Sequence, residues 1–306
     1  MKFKVAIFLT TFAQNDREPL ALLEKNGWRV ELNPFGRMVT APEIIELAKD
    51  AQGLIAGTEN LSAEVLGQLK SLKVISRCGV GLDNVDLNAA KRLGMKVFST
   101  PDGPTLAVAE LVIALALDLS RQISLSDRNI RQGLWQKKMG SLFSGKNIGI
   151  IGFGRTGQAV AKLAGAFKAK VFYCDPVVRP SRFPKFKRLS LGRLLKISDI
   201  VTVHVPLLEG TKYLIGRSQL ALMKKEAFLI NCSRGGVVEE TAFYSALKEN
   251  RLAGAAVDVF EQEPYQGPLK DLDNVILTPH IGSYAKESRI QMEIEAVRNL
   301  IKGLSD

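Results

Sequence analysis

The chain is poor in cysteine and histidine, short of acidic residues, and without a long uninterrupted apolar run. Cys78, Cys174 and Cys232 are the only cysteines in 306 residues. Their odd number and wide spacing exclude a disulfide framework, and no CxxC pair suggests zinc. A reducing cytoplasm fits such usage. Two histidines, His204 and His280, argue against a histidine-rich metal centre, so no metal is expected. The longest apolar stretch, LAVAELVIALALDL at 106–119, carries Glu110 and Asp118. It falls short of the ~18 residues a membrane span needs and reads as a long buried helix. The opening MKFKVAIFLTTF has no small-residue cleavage site and reads as a first strand rather than a signal peptide. Acidic residues number 31 against 42 basic ones, for a net charge of +11. That balance admits nucleic acid, anionic lipid or small acidic ligands as partners. No basic arm, basic helix or recognised nucleic-acid module accompanies it, which leaves small anions.

What is present is alternation. KVAIFL, GLIAG and KVISR have the look of buried parallel strands, separated by EPLALLEKNG and APEIIELAKDA with apolar residues at helical spacing. The rhythm restarts at 148 with IGIIG, KVFYCD, DIVTVHVP, AFLINCS, AAVDVF and VILTPH, six strands and enough for a second sheet. This predicts an α/β protein of βαβ units with two doubly wound parallel sheets. Pro101, Gly103 and Pro104 place a seam just before the long helix. The stretch PVVRPSRFPKFKRLS at 176–190 holds three prolines and five basic residues. It reads as a solvated loop, with contact to a nucleotide phosphate as the alternative.

In IIGFGRTG, Gly152, Gly154 and Gly157 make G-x-G-x-x-G between a strand and a helix. The first glycine permits the tight turn, the second lets backbone approach a pyrophosphate, and the third lets helix pack on strand. The helix N-terminus then favours the diphosphate. Asp175 ends the next strand, where an acidic residue accepts hydrogen bonds from ribose hydroxyls and repels the extra phosphate of NADP. NAD is therefore the expected cofactor. The basic loop beyond Asp175 is the one feature that keeps NADP open.

Further motifs carry a resemblance. SRCGVGLDNVDLNAA at 76–90, VHVPLLEGTKYLIG at 203–216, LINCSRGGVVEE at 229–240, AAVDVFEQEP at 255–264 and LTPHIGS at 277–283 resemble, in order, signatures of the D-isomer-specific 2-hydroxyacid dehydrogenases. The resemblance implies a Rossmann cofactor domain, residues 100–283, inserted into a flavodoxin-like substrate domain made of 1–99 and 284–306. It implies that Arg234 holds the substrate carboxylate and keto oxygen, that Glu263 and His280 form the acid/base pair, and that Asp258 lies near the nicotinamide carboxamide. It implies that backbone N–H groups of Cys78, Gly79, Val80 and Gly81 receive the substrate carboxylate. The cofactor set it implies is Gly152, Gly154, Arg155, Thr156, Gly157, Asp175, Pro206, Thr211, Cys232, Ser233, Asp258, His280 and Gly282. His204, inside an apolar strand, stands evenly between cofactor contact and a packed, hydrogen-bonded role.

The chemistry is consistent with those roles. Hydride transfer to a ketone leaves an alkoxide that needs a proton, which a histidine supplies well near neutral pH. A carboxylate beside such a ring fixes its tautomer and favours its charged form. Arginine grips a planar carboxylate with two parallel bonds. 3-Phosphoglycerate is the leading substrate, because RCGVGLDNVD and WQKKMGSLFSGK resemble the phosphoglycerate branch. Against it, AGTENLSAEVL at 56–66 lacks the arginine that branch often carries, leaving Lys137 and Lys138 as phosphate candidates. Glyoxylate or hydroxypyruvate reduction is the runner-up. Tyr284 stands where the family often has threonine. Two rivals lie in other classes: an NAD-sensing corepressor-like binding protein and a nucleic-acid binder. The resemblance also implies a homodimer through helix 106–119, though that helix could equally be buried within one chain.

Overall fold

The computed structural model describes residues 3–305. They fall into two compact units, Met1–Pro104 with Ser283–Asp306, and Thr105–Gly282. In the first, β1 (Lys4–Ile7), β2 (Arg29–Leu32), β3 (Gly53–Ala56), β4 (Val74–Arg77) and β5 (Lys96–Ser99) alternate with α1 (Glu18–Lys25), α2 (Ala41–Ala48), α3 (Ala63–Gln68) and α4 (Leu87–Arg92). All pairings are parallel, in the order β2-β1-β3-β4-β5. That is the flavodoxin-like doubly wound arrangement. The three inner strands are nearly pure apolar runs because helices cover both of their faces. One face buries Ala6, Leu54 and Ile75 under Ile44, Val65 and Ala89. The other buries Val5, Ile55 and Val74 under Leu23 and under Met292, Val297 and Leu300 of the closing helix, Lys286–Ser305.

The second unit begins with α5 (Pro104–Arg121) and α6 (Ile123–Arg131). Then come β6 (Asn147–Ile151), α7 (Arg155–Ala166), β7 (Lys170–Cys174), β8 (Lys187–Arg188), α8 (Leu191–Ile197), β9 (Ile200–Val203) and α9 (Arg217–Leu220). It ends with β10 (Phe228–Asn231), α10 (Glu240–Lys248), β11 (Gly254–Val257) and β12 (Val275–Leu277), and the closing helix is α11. The seven parallel strands lie in the order β12-β11-β10-β9-β6-β7-β8. Counted within the unit this is the dinucleotide-binding order 3-2-1-4-5-6 with one strand added. A core fills each face of the sheet, one of them lined by Ala109, Val112 and Ala116 of α5.

Two features differ from the sequence reading. The stretch 176–190 is more than a solvated loop: Lys187 and Arg188 add β8 beside β7, and Phe183 and Phe186 pack edge-on against Phe153. The units divide after Pro104 and after Gly282, against the expected 99 and 283. Residues 100–103 stay with the first unit because Gly79 N–H donates to Thr100 Oγ1 at 2.7 Å and Ser288 Oγ donates to the Gly103 carbonyl at 2.9 Å.

Candidate active site

The turn from β6 to α7 shows why the chain places glycine after an apolar strand. Gly152 has a φ of +89°, and a Cβ there would lie 2.5 Å from the His204 carbonyl oxygen. A Cβ on Gly157 would lie 2.2 Å from the Gly152 carbonyl oxygen. Neither position admits a side chain. Gly154, the N-cap of α7, instead looks onto open space, with nothing within 4 Å of its absent Cβ. Arg155 and Thr156 follow in the first helical turn. The result is an open cradle of N–H groups at the N-terminus of a twelve-residue helix, suited to a diphosphate.

Asp175 follows β7 directly. Its Oδ2 accepts the Phe153 N–H at 2.7 Å, and its Oδ1 accepts those of Val177 and Val178 at 2.8 and 2.9 Å. Burial alone would raise its pKa. These three donors outweigh that and hold the carboxyl below its ordinary range. Asp175 is thus a charged acceptor that ties the glycine turn to the second strand.

The remaining cofactor candidates lie beyond the ends of β9 to β12, the edge where open α/β sheets place their sites. His204 Nε2 meets Thr202 Oγ1 at 2.9 Å, and burial pushes its ring down to about 4, so it is neutral at physiological pH. Thr211 Oγ1 donates to the Pro206 carbonyl at 2.6 Å and accepts the Leu208 N–H at 2.8 Å, closing that loop on itself. Cys232 is buried and its thiol is pushed well up by that burial, which excludes a resting thiolate. Ser233 donates its hydroxyl to Asn231 Oδ1 at 2.9 Å.

Asn231 was not singled out in the sequence, yet it shapes the next residue. Its Nδ2 donates to the Arg234 carbonyl at 3.0 Å, so one side chain spans the turn that presents Arg234. The backbone at Gly235 presses on Phe260, where an added Cβ would lie 1.9 Å from the carbonyl oxygen. The Phe260 N–H in turn donates to Glu263 Oε1 at 3.1 Å. Glu263 Oε2 then meets His280 Nδ1 at 2.8 Å, with both side chains a little over one third exposed. Burial would raise the Glu263 pKa, but the His280 bond, the Phe260 N–H and the Arg234 charge together bring it below its ordinary range. Arg234, Glu263 and His280 are therefore gathered in the unit that carries the dinucleotide turn. Asp258, just past β11, turns its carboxylate to the backbone around His280, its Oδ1 accepting the Thr278 hydroxyl at 2.6 Å and its Oδ2 the Gly282 N–H at 2.9 Å.

Cys78, Gly79, Val80 and Gly81 follow β4 in the other unit. The Cys78 N–H donates to the Ala56 carbonyl at 2.8 Å and the Gly79 N–H to Thr100. Those two are spent internally, against the expectation that all four N–H groups of the loop receive a carboxylate. Burial pushes the Cys78 thiol up to about 12, which removes it as a nucleophile. Among the described residues, no group of three or more His, Cys, Asp or Glu side chains could hold a metal. No helix among them is long and apolar enough to cross a membrane.

Residues 113–282 match the model of the D-isomer specific 2-hydroxyacid dehydrogenase, NAD binding domain. The chain belongs to this family of dehydrogenases. It is 39% identical over 94% of its length to a D-3-phosphoglycerate dehydrogenase of Archaeoglobus fulgidus, of which it covers 56%. It is 36% identical over 94% of its length to a hydroxypyruvate reductase of Thermotoga maritima, of which it covers 95%. The chain thus spans about half the length of the phosphoglycerate dehydrogenases it matches. The TT0316 protein of Thermus thermophilus superposes with a TM-score of 0.91 at 37% identity, covering 99% of this chain and 97% of that one. The dehydrogenase family accounts for both sheet orders and for NAD as the ligand of the glycine cradle.

Proposed function

We propose that the chain interconverts a small 2-keto acid and the D-2-hydroxy acid with NAD(H), and that glyoxylate or hydroxypyruvate is preferred over a phosphorylated substrate. The observation that carries the reaction type is the 2.8 Å His280–Glu263 bond in the unit that holds the dinucleotide cradle. When bound, NADH supplies the hydride. The carbonyl carbon gains that hydride, and its oxygen must gain a proton. Glu263 engages His280 Nδ1, so Nε2 is the nitrogen that hands its proton to this oxygen. Arg234 grips the substrate carboxylate with its planar fork. In the oxidative direction the same ring takes the proton back.

The substrate preference departs from the sequence reading, which put 3-phosphoglycerate first. Its support is Glu59. This carboxylate is only 4% exposed and accepts the Gly57 N–H at 2.6 Å, on the loop where a phosphate-binding arginine was sought. Burial pushes its pKa up, while the nearby Arg77 charge acts in the opposite sense. Arg77 instead donates its Nη1 to the Cys78 carbonyl at 3.1 Å, and residues 56–66 bring no positive charge of their own to a phosphate dianion. Lys137 and Lys138 are exposed and are the remaining candidates for one. A substrate panel followed by NADH absorbance tests the reading. Glyoxylate or hydroxypyruvate should show the highest kcat/KM. A higher value for 3-phosphohydroxypyruvate, lost in the double change Lys137→Ala, Lys138→Ala, would restore the phosphoglycerate assignment. His280→Ala should lower turnover by roughly 10²–10⁴ while NADH still binds.

The partner we infer is a second copy of the chain. Ile123, Ile130, Leu134, Trp135, Met139 and Leu142 are all exposed along α6 and the segment after it. Three free cysteines, two of them buried, suit a reducing cytoplasm.

A further inference from the structure

β11 and β12 are paired in register, Val257 opposite Leu277. Asp258 and Thr278 each come one residue later, so two polar side chains leave neighbouring strands at the same level. Thr278 Oγ1 donates to Asp258 Oδ1 at 2.6 Å. The same oxygen accepts the Ile281 N–H at 2.8 Å, and Oδ2 accepts the Gly282 N–H at 2.9 Å. Asp258 is 1% exposed. Its three donors bracket His280, one from the residue two before it and two from the residues just after it. His280 itself holds a φ of +54°, a left-handed conformation that residues with a Cβ seldom adopt. Its own N–H closes back on the Thr278 carbonyl at 3.0 Å. A side chain in such a turn points where the turn points it, and this turn is fastened at both ends to one buried carboxylate.

We propose that Thr278 and Asp258 are positioning residues for His280: they hold its backbone in the left-handed turn that sets Nδ1 on Glu263 and turns Nε2 toward the reacting oxygen. Asp258 then acts through the histidine, and its expected contact with the nicotinamide carboxamide is not its only duty. The inference rests on the proposed role of His280 as proton donor. Burial pushes the Asp258 carboxyl above the ordinary carboxylate range, with the Thr278 hydroxyl foremost among the groups opposing that push. Removing that hydroxyl leaves the buried carboxylate held only by the two N–H groups beyond His280, so the turn is fastened at one end and not at both.

The test compares Thr278→Val, which keeps the shape, with Thr278→Ser, which keeps the hydroxyl. Turnover of glyoxylate and hydroxypyruvate, NADH dissociation constants and histidine ring NMR are measured on each. Because the chain has two histidines, the ring signals are assigned by one His280→Ala spectrum. Thr278→Val should lower kcat by about 10–100-fold, as a misplacement near 1 Å does. It should leave the NADH dissociation constant within about twofold and shift the pH titration of the His280 ring. Thr278→Ser should recover kcat to within about threefold. The proposal is overturned if Thr278→Val keeps kcat within about twofold. It is equally overturned if the His280 titration stays unmoved, or if serine does no better than valine. If Thr278→Val fails to fold, Asp258→Asn, of the same size, must show the same shifted titration, and an unshifted one overturns the proposal. Should His280→Ala itself retain full turnover, the proton-donor reading fails instead, and the NMR comparison still reports whether the turn is held as stated.

Discussion

Tyr173 is fully buried, stacked on Phe153 with ring centroids 4.0 Å apart, and its hydroxyl has no hydrogen-bond partner among the described residues. A hydroxyl taken out of water and left unpaired costs about 1–3 kcal/mol. Tyr173→Phe should therefore stabilise the protein by about 1 kcal/mol in urea unfolding, with the stacked ring retained. A loss of stability would mean that the hydroxyl finds a partner in solution. Asp175 is the opposite case, with every oxygen in use. Asp175→Ala removes three bonds that shape the cradle and, with them, the expected ribose acceptor and repulsion toward a 2′-phosphate. NADH affinity should fall by at least about tenfold, or ~1.4 kcal/mol, and the preference over NADPH should narrow. Equal use of both cofactors by the unaltered protein would point to Arg179 and Arg182. At this scale the sequence was legible where a residue type announces its chemistry. Arg234, Glu263 and His280 stood in quotable motifs. Thr278 and Glu59 stand in quoted stretches as well, yet their roles were not legible there, because their partners are set by strand register and by burial. Neither shows in a linear string.

Elements were legible where both faces of a strand are buried. The apolar runs of β1, β3, β4 and β6 declare themselves by composition. β2 and β5 were not singled out because they lie at sheet edges, where Arg29, Glu31 and Lys96 interrupt the pattern. The two-residue β8 was hidden among prolines and basic residues, and its placement depends on Phe183 and Phe186 finding Phe153. Helix α2 carries a start signal whose strength can be read from pH. Glu43 accepts the Thr40 N–H at 2.8 Å and pairs both its oxygens with Arg37, at 2.7 and 2.9 Å. The Arg37 bond, then the Thr40 N–H, lower its pKa to about 2. A carboxyl depressed in the folded state contributes stability above its unfolded pKa and loses it as pH falls through the folded one. The first turn of α2 should therefore exchange its amides faster in Glu43→Gln than in the unaltered chain at pH 6. That difference should persist at pH 3.5, below the ~4.3 at which an ordinary glutamate half-protonates. A difference already gone at pH 4 would show that Arg37 and Thr40 do not hold the carboxyl down.

For the whole molecule, charge and apolar surface make opposing demands. A net charge of +11 keeps copies apart. Yet α6 buries none of its residues, and a nine-residue helix with no packed face is marginal in water. The segment after it leaves Trp135 82% and Met139 94% exposed. Tryptophan and methionine are residues that interfaces favour, and large apolar side chains left exposed close together in sequence suit one. The second copy proposed above would meet the need with the same patch on both sides of a two-fold axis. The sequence could name helix 106–119 as apolar but could not say which side chains face water. The structure shows the inner row of α5 packed in its own unit and the uncovered surface on α6 and beyond. Sedimentation at micromolar concentration should find a dimer, and the double change Ile130→Glu, Trp135→Glu should find a monomer. Trp135 gives a second readout, since its emission should move to shorter wavelength as the dimer forms. Salt decides between the two kinds of partner that a basic chain can have. Screening the mutual repulsion of two +11 copies should tighten an apolar dimer as ionic strength rises, with a Debye length near 10 Å at 0.1 M falling to about 3 Å at 1 M. Binding to a polyanion such as nucleic acid would weaken steeply over the same range. A dimer that dissociates on adding salt would mean that charge, and not the α6 surface, holds the copies together.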